Sequence, residues 1–466
     1  MSDAIKEECG IFGIFGHPRA SEITYLGLHA LQHRGEESAG IASGDGQHMH
    51  VHTGLGHVTE VFHDPSVLAR LRGWLAVGHN RYSTTGSNAL CNAQPFLAEC
   101  RDEYLALAHN GNLVNAARLR REMQAVGSIF QATTDSEVMV HLIARSQEED
   151  VVSRIIDALS QVRGAYSLVI ATQNRLIAVR DPLGFRPLCL GQLEGSWVVA
   201  SESCAIDMVS ARYIRDVNPG EVIVIDADGF RSLRPWAESR HAFCIFEYIY
   251  FSRPDSIIFG DNVDKTRRRL GKRLAMEQPV DADIVIAVPD SSNTAALGYS
   301  QASGIKFEIG LIRNHYVGRT FIKPSQKTRD LEARTKYNPV RGVLKGRRVV
   351  VVEDSIVRGT TLKHLVRMLR DAGAEEVHIR VSCPPIISPC YYGIDFQTRD
   401  ELIASQKTIE QIRQYLGVDS LGYLSLEGML NAVPDGGGND YCTACFDGKY
   451  VVQIDEEVSK SILERA

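Results

Sequence analysis

The sequence predicts an α/β protein whose first half is strand-rich and α+β, and whose second half contains a parallel sheet. Two observations support this. Four consecutive valines, Val349 to Val352, form a β-branched apolar run typical of a strand that is buried on both faces of a parallel sheet. The first half contains strand-like runs separated by turns, and a helical pattern over Glu137–Ile143 would cover one face of their sheets. The runs are Gly164–Ala171, Arg175–Gly191, Ser196–Ser203 and Gly220–Asp226.

Length and composition limit the class of protein. The 466 residues are enough for two large domains, and a composition shift over residues 232–242 predicts a boundary that separates 9–238 from 239–466. The contents of 44% apolar and 23% charged residues are those of a globular protein in water. A net charge of −6 argues against general affinity for nucleic acid. No apolar run approaches the ~20 residues of a membrane span, and the opening MSDAIKEE lacks the features of a signal peptide. We therefore expect a cytoplasmic protein without a membrane or nucleic-acid partner.

Two acids and a turn follow the valine run. Glu353 and Asp354 stand at the carboxyl end of the predicted strand, and a small-residue turn over 355–361 leads into a helix. Ligands of open α/β sheets bind at this edge, and phosphates favour backbone N–H groups at the start of a helix. The acids suit hydroxyls or a divalent cation, and a sugar phosphate has both parts. The alternative is an ordinary strand-turn-helix with a capping Ser or Thr. A GxGxxG or Walker fingerprint is absent from the sequence, which disfavours a nucleoside triphosphate.

The segment VVVVEDSIVRGTT resembles the signature of phosphoribosyltransferases. The resemblance implies that Glu353 and Asp354 bind the ribose hydroxyls of phosphoribosyl pyrophosphate (PRPP). The turn would then hold the 5-phosphate through Ser355, Arg358, Gly359, Thr360 and Thr361. The family commonly has two aspartates here. The extra methylene of Glu353 moves its carboxylate outward, so ribose binding is the firmer expectation and direct Mg²⁺ ligation the weaker one.

Two further segments extend this resemblance. The buried run Asp283–Val288 ends in a polar turn similar to the family's pyrophosphate loop, which implies that Asp290 and Ser291 lie near the diphosphate. The implied Mg²⁺ ligands are Ser291, Glu353 and Asp354. Residues 313–341 are polar, and from Arg319 to Arg341 they include seven basic and two acidic residues. The resemblance makes this segment a cationic loop that orders over PRPP, with Lys336 as a contact. A merely exposed insertion is the alternative.

Five motifs of the first half occur in the order and spacing of the class II glutamine amidotransferases, a group of N-terminal-nucleophile hydrolases. The resemblance implies an αββα sandwich in which Cys9 attacks the amide of glutamine. The motifs are CGIFGIFG from Cys9, LQHRGEESAGI (Leu31–Ile41), GHNRYSTTG (Gly78–Gly86), LAHNGNL (Leu107–Leu113) and TTDSE (Thr133–Glu137).

The position of Cys9 has a chemical reason. A thiol that attacks an amide needs a base, and a free α-amino group, with a pKa of about 7.7–8.0, is suited to that task near neutral pH. Cys9 has such an amine only after residues 1–8 are removed. We therefore predict that MSDAIKEE is a propeptide cleaved after Glu8. The alternatives are a frayed terminus and, for Cys9, a small buried apolar side chain.

The resemblance assigns roles to four more residues of the first half. Arg81 would pair with the α-carboxylate of glutamine, and Asp135 would receive its α-ammonium. The side-chain amide of Asn110 and the backbone N–H of Gly111 would form the oxyanion hole. The simpler alternatives are a surface salt bridge for Arg81, a helix N-cap for Asp135, and a tight turn for Asn110-Gly111. Three histidines are interpreted as structural, because no acid or thiol stands at ligand spacing from them: His33, His79 and His109.

The cysteines of the second half raise the question of a metal. A lone CxxC, as in YCTAC, is open to zinc, redox chemistry or chance. Amidophosphoribosyltransferases, which combine the two halves, divide into members with and without an iron–sulfur cluster. Four positions match the cluster-bearing type and would hold a structural [4Fe–4S] cluster, with zinc as the rival. They are Cys244, Cys390, Cys442 and Cys445.

The resemblance to amidophosphoribosyltransferases covers nearly the whole chain. It implies that glutamine supplies ammonia to carbon 1 of PRPP, which gives 5-phosphoribosylamine, glutamate and pyrophosphate in the committed step of de novo purine synthesis. It also implies a homo-oligomer, tetramer or dimer, that purine nucleotides inhibit. The rivals are a PRPP-sensing regulator without catalysis, a sugar-phosphate amidotransferase and an electron-transfer protein.

Overall fold

The computed structural model describes residues 9–83, 85–101, 103–314, 336–396, 398–434, 438–454 and 462–464. The predicted propeptide 1–8 and most of the predicted cationic loop 313–341 lie outside the described residues. Lys336, at the end of that loop, is described.

Strands β1 to β13 form the first part of the chain. Within the described residues they make a seven-stranded sheet of order β11-β9-β10-β1-β4-β2-β3 and a six-stranded sheet of order β13-β12-β8-β7-β6-β5. The strand pairs within both sheets are antiparallel. The strands are β1 Gly10–Phe15, β2 Ser38–Gly44, β3 Met49–Leu55, β4 Leu75–Arg81, β5 Phe96–Cys100, β6 Glu103–Leu113, β7 Gly164–Ala171, β8 Leu176–Arg180, β9 Cys189–Leu193, β10 Ser196–Ala200, β11 Arg212–Asp216, β12 Val222–Asp226 and β13 Gly229–Leu233.

The two sheets pack face to face and carry helices on their outer faces. A core that includes Ile11, Val77, Ala108 and Val169 lies between the sheets. Inner strands such as β1, β4 and β7 are buried along their whole length, whereas β3, β11 and β13 at the sheet edges are partly exposed. The predicted αββα sandwich is confirmed. The outer helices are Ala20–Ala30, Val58–Val61, Pro65–Arg70, Ala116–Ala125, Asp135–Arg145, Val151–Ser160 and Ser203–Met208.

The second part contains the predicted parallel sheet, whose order is β17-β20-β21-β22. Strand β20 is one of the two inner strands of this sheet, and its four valines are fully buried. The strands of this part are β14 Phe243–Cys244, β15 Ile257–Ile258, β16 Asp261–Asn262, β17 Ile284–Ala287, β18 Leu311–Arg313, β19 Tyr337–Pro339, β20 Arg348–Glu353, β21 Glu376–Val381, β22 Ser420–Tyr423 and β23 Tyr441–Cys442. The helices are Val263–Glu277, Asn293–Ser303, Arg341–Leu344, Thr360–Asp371, Ile403–Gln406, Ile409–Leu416, Leu426–Leu430 and Ala444–Asp447.

A short parallel ladder connects distant parts of the chain. Phe243 and Cys244 of β14 pair with Tyr441 and Cys442 of β23, and the N–H of Phe243 donates to Asp440 O at 2.8 Å. In the part of the chain that the structure describes, no helix has the length and apolarity needed to cross a membrane.

Two candidate active sites

The first candidate site is built around Cys9, just before β1. Its thiol donates to Tyr82 O at 3.3 Å, and Arg34 Nε donates to Cys9 O at 3.1 Å. Burial raises the pKa of Cys9 to about 11, although the nearby Arg81 acts to lower it. Because such a thiol is protonated at neutral pH, attack on an amide requires a base at this position.

Arg81 ends β4, the neighbour of β1. Its guanidinium is buried and donates to Thr85 O and Ser87 O, both at 3.1 Å, and it lies 3.9 Å from Glu37. The alternative of a surface salt bridge for Arg81 is therefore wrong. An arginine buried beside the thiol is placed to bind an anionic group of a ligand.

Asp135 opens the helix Asp135–Arg145 and is buried. The N-cap is Thr134, whose hydroxyl accepts from Ser136 N, so the capping role suggested for Asp135 is wrong. One carboxylate oxygen of Asp135 accepts from Leu113 N at 2.9 Å. The other lies 3.8 Å from His109 Nδ1. The hydrogen bond from Leu113 N holds the Asp135 carboxylate beside the end of strand β6.

Asn110 and Gly111 lie inside strand β6 rather than in a tight turn, so that alternative is also wrong. Both side-chain polar atoms of Asn110 are buried and lack a hydrogen-bond partner among the described residues. Buried amides are nearly always paired, so this one is a candidate for binding a ligand. Gly111 has φ +147°, and a Cβ there would lie 2.0 Å from Ala165 O. The backbone at the predicted oxyanion hole therefore requires glycine.

The three histidines of the first half contact protein groups. His79 Nε2 lies 3.0 Å from His109 O, His109 Nδ1 lies 3.0 Å from Ser136 Oγ, and His33 Nε2 lies 2.8 Å from Glu202 Oε1. These contacts agree with the structural interpretation of all three.

The second candidate site lies at the carboxyl edge of the parallel sheet. Ala287 of β17 and Val352 of β20 are register partners, which brings the turn after β17 beside the acids after β20. Ser291 Oγ donates to Asp354 Oδ2 at 2.5 Å, and Ser355 Oγ donates to Asp354 Oδ1 at 2.5 Å. The residues predicted from two separate segments therefore form one constellation.

Glu353 has the less satisfied carboxylate of the pair. Its Oε2 is buried and has no hydrogen-bond partner in the described part of the chain. Burial raises the pKa of Glu353 well above its usual value, the charge of Asp354 raises it further, and Lys336 lowers it. Burial also raises the pKa of Asp354. Two buried neighbouring carboxylates are stabilised by a cation or by hydroxyl donors.

The turn after the acids ends at Gly359, which has φ +76° and forms the N-cap of helix Thr360–Asp371 without a side-chain cap. The alternative of a capping Ser or Thr is wrong. Helix starts of this kind, which follow a glycine-containing turn, are the places where phosphate groups bind in many proteins. Arg358 forms an ion pair with Glu401 at 3.1 Å. Thr361 lies on the first turn of the same helix.

Asp290 and Lys336 lie on the flanks of this site. Asp290 Oδ2 accepts from Arg313 Nη1 at 3.1 Å. Lys336 Nζ lies 5.6 Å from the ring centre of Tyr337, and its positive charge acts to lower the pKa of Glu353. The predicted PRPP contacts are thus gathered at one edge of the sheet, and their individual roles stay predictions.

The second half has five cysteines, all buried, and four of them form the predicted set of cluster ligands. Cys244 and Cys442 are register partners. Burial raises the pKa of Cys442 to about 12, with a contribution from Cys390. Burial also raises the pKa of Cys445, to which Cys390, Cys442 and Cys244 add. Within the described ranges, no three His, Cys, Asp or Glu side chains converge as ligands of one ion.

A buried set of charges beside Cys9 was not predicted from the sequence. Arg34 contacts both Glu202 and Glu247. Arg34 lies inside the motif LQHRGEESAGI, one of the five motifs that resemble the glutamine amidotransferases. Its place in that motif was the available sequence signal that Arg34 belongs to the site of the predicted nucleophile. Glu247 carries no sequence signal of this kind, because its contact with Arg34 depends on how the two halves pack.

Comparison with known proteins agrees with this division of the chain. Residues 79–208 match the family model described as a glutamine amidotransferase domain, and residues 277–389 match a phosphoribosyl transferase domain. An amidophosphoribosyltransferase of Bacillus subtilis is 50% identical over 454 residues, which are 97% of this chain and 95% of the relative. The chain belongs to the amidophosphoribosyltransferase family.

Solved structures of family members have the same fold over nearly the whole chain. The glutamine PRPP amidotransferase from B. subtilis, complexed with ADP and GMP, has a TM-score of 0.92 and 49% identity, and the match covers 97% of this chain and 100% of that one. A structure described as the allosteric regulatory enzyme of purine biosynthesis has a TM-score of 0.93 and 49% identity, with coverage of 98% and 99%. This amidophosphoribosyltransferase is thus an enzyme of glutamine-dependent transfer to PRPP in purine biosynthesis.

Proposed function

We propose that Cys9, freed from residues 1–8, is the nucleophile that releases nitrogen from glutamine. Its α-amine takes the thiol proton, sulfur bonds to the amide carbon, and the proton passes to the leaving nitrogen, so that ammonia departs and a thioester remains. Water then hydrolyses the thioester to glutamate. The observation that carries this proposal is the buried side-chain amide of Asn110 in β6, for which the described residues supply no hydrogen-bond partner.

Arg81 and Asp135 orient glutamine for this attack. The guanidinium binds the α-carboxylate, and the Asp135 carboxylate binds the α-ammonium. Both side chains are buried and held by backbone contacts, so little reorganisation is needed when glutamine enters. Intact mass analysis of active protein tests the cleavage, since a chain that still carries Met1 and uses glutamine would contradict it.

Asn110→Ala should lower glutamine-dependent turnover about 10²–10³-fold, because the tetrahedral oxyanion loses one of two donors. The rate with ammonia as donor should stay unchanged. Steady-state kinetics with each nitrogen source measure this difference. The matched control is Asn115→Ala, which removes a buried side-chain amide that donates to Gln161 O. An equal loss with both donors in Asn110→Ala would contradict the oxyanion role.

In the second site, ammonia attacks carbon 1 of PRPP and pyrophosphate departs, which leaves 5-phosphoribosylamine. Glu353 and Asp354 would hold the ribose hydroxyls, and the turn at Gly359 with Ser355, Thr360 and Thr361 would hold the 5-phosphate. Asp290, Ser291, Arg358 and Lys336 would complete the pocket. Free ammonia is protonated at neutral pH, so transfer between the sites must occur inside the protein.

Mg²⁺ fits the second site. The Oε2 of Glu353, which has no hydrogen-bond partner among the described residues, and the raised pKa values of both acids support a place where a hard cation would be favoured. Ser291, Glu353 and Asp354 would hold the ion together with diphosphate oxygens. When bound, Mg²⁺ neutralises charge on the leaving pyrophosphate.

A [4Fe–4S] cluster fits a set of four buried cysteines, two of which, Cys442 and Cys445, have pKa values raised by burial, the cost of burying a thiolate without a metal. Cys244, Cys390, Cys442 and Cys445 would hold it. The transfer has no redox step, so the cluster would be structural and would fasten the segment around β23 to β14.

Iron analysis of anaerobically purified protein should find about four iron atoms per chain, with broad visible absorption. The conservative variant Cys442→Ser should lose iron and thermal stability together, whereas Cys383→Ser, a buried cysteine outside the predicted set, should keep the iron. One zinc and no iron per chain would contradict the cluster.

We further propose a homo-oligomer, tetramer or dimer, inhibited by purine nucleotides and located in the cytoplasm. The support for inhibition is the B. subtilis relative, whose structure contains ADP and GMP. Sedimentation in the presence and absence of these nucleotides, combined with initial rates, tests both points.

A further inference from the structure

Four buried charged side chains meet behind Cys9, and His33 also contacts one of them, Glu202, at 2.8 Å. Arg34 lies 2.5 Å from Glu202 and 2.8 Å from Glu247, and Arg186 lies 3.5 Å from Glu247. All four side chains have 0% exposed surface. Two positive and two negative charges balance, which is the condition under which such groups tolerate burial.

Glu247 is the member of this set that comes from the second half of the chain. It begins the short helical turn Glu247–Phe251, three residues after Cys244. Arg34, Arg186 and Glu202 belong to the first half. The carboxylate of Glu247 therefore reaches across the junction between the halves to a residue that touches the nucleophile.

The contact between Glu247 and Arg34 is bidentate. Arg34 Nη2 donates to Oε1 at 2.8 Å and Nη1 donates to Oε2 at 3.0 Å, while Ser252 Oγ donates to Oε2 at 2.7 Å. The third nitrogen of the same planar group, Nε, donates to Cys9 O at 3.1 Å. Because a guanidinium is rigid, fixing two nitrogens fixes the direction of the third.

Glu247 also holds a second arginine beside the oxyanion hole. Arg186 donates to Tyr392 O through Nε at 3.2 Å and Nη2 at 2.6 Å. The next residue, Gly393, approaches so closely that a Cβ there would lie 3.5 Å from Gly111 Cα and 2.9 Å from Arg186 Nη2. One carboxylate thus contacts the supports of both the nucleophile and the predicted oxyanion hole.

We propose that Glu247 is a positioning residue for the glutamine reaction: it orients Arg34, which holds the carbonyl of Cys9 and so sets the backbone that carries both the thiol and the α-amine. Glu202 contacts Arg34 through one nitrogen and also accepts from Arg253 N and Ser256 Oγ. It neutralises charge but does not fix the plane of the guanidinium. This inference rests on the proposed role of Cys9.

The test uses Glu247→Gln in the full-length enzyme. The glutamine amide has the same shape as the glutamate carboxylate, but its NH₂ group would face an N–H donor of Arg34. One of the two hydrogen bonds between these side chains is therefore lost. Glutamine-dependent kcat should fall about tenfold, since small misplacements of a nucleophile are costly. KM for glutamine and the ammonia-dependent rate should stay unchanged, and alkylation of Cys9 by iodoacetamide should slow in parallel.

Two further variants keep the test decisive. Glu247→Asp retains the charge and shortens the reach, so it should show the same selective loss even if Glu247→Gln folds poorly. Glu221→Gln is the matched control: it makes the same change in another buried carboxylate, which Arg215 holds through two hydrogen bonds at 2.7 and 2.6 Å, away from Cys9. It should leave both rates unchanged.

Equal losses with glutamine and ammonia in Glu247→Asp, or an unchanged glutamine rate in both Glu247 variants, would overturn the proposal. So would a selective loss in Glu221→Gln. Failure of the underlying role of Cys9 is distinguishable, because Cys9→Ala would then still use glutamine.

Discussion

Cys9→Ala will abolish glutamine-dependent synthesis of phosphoribosylamine and leave ammonia-dependent synthesis intact. Without the thiol no thioester forms, and the loss of a covalent nucleophile costs several orders of magnitude in rate. The second site does not contain Cys9 and should accept external ammonia at high pH. Pyrophosphate release, measured with glutamine and with ammonium salts, gives both rates in one assay.

A matched control exists for this substitution. Cys189 is also buried, and its thiol also donates to a backbone carbonyl, Ala200 O at 3.3 Å, as Cys9 does to Tyr82 O. Cys189→Ala should cost some stability and retain the use of glutamine. Loss of both nitrogen donors in Cys9→Ala would mean that the two sites do not work separately.

Asp354→Asn will suppress synthesis with either nitrogen donor by about a hundredfold or more, in line with the 2–5 kcal/mol measured for breaking buried charged hydrogen bonds. The asparagine is isosteric, but its NH₂ opposes the hydroxyl donors that Asp354 now accepts from Ser291 and Ser355. It also removes a charge that would bind ribose hydroxyls or Mg²⁺. Titration calorimetry with PRPP should show weaker binding, while hydrolysis of glutamine to glutamate persists.

The control for Asp354 is Asp283→Asn, at the opposite edge of the same sheet. Asp283 accepts from Arg348 N at 2.8 Å just before β17 and forms an ion pair with Arg348 at 3.0 Å. Its loss should lower stability without changing the affinity for PRPP. If Asp283→Asn weakened PRPP binding as much as Asp354→Asn, the effect would be one of folding rather than of recognition.

The sequence predicted the parts of the fold that depend on local pattern. The buried valines of β20, the acids after them and the turn at Gly359 lie as expected, because strand burial and helix starts follow from neighbouring residues. The αββα layers were predicted through motif resemblance and are confirmed. The alternatives for Arg81 and Asn110 failed because they require exposure or a turn, which burial and strand pairing exclude. The alternative for Asp135 failed because Thr134 is the N-cap of its helix.

The long-range pairing of polar residues could not be predicted from the sequence. Arg34 and Glu247 are fully buried although their residue types favour the surface, and only the packing of the halves brings them together. The unpaired amide of Asn110 is likewise a property of its surroundings and not of the motif LAHNGNL. The roles of the site residues, both cofactors and the domain boundary stay predictions.

The ladder between β14 and β23 has a consequence for biosynthesis. Because the strand partner of Cys244 in the described part of the chain is Cys442, this ladder of the second half cannot form on a nascent chain until that late segment has been translated. The first half contains a pairing of similar separation, Phe12 with Ala200, but both partners are translated before Cys244, and closing so long a loop is slow. The first half is therefore expected to mature early, with chaperone dependence concentrated in the interval before Tyr441 is translated.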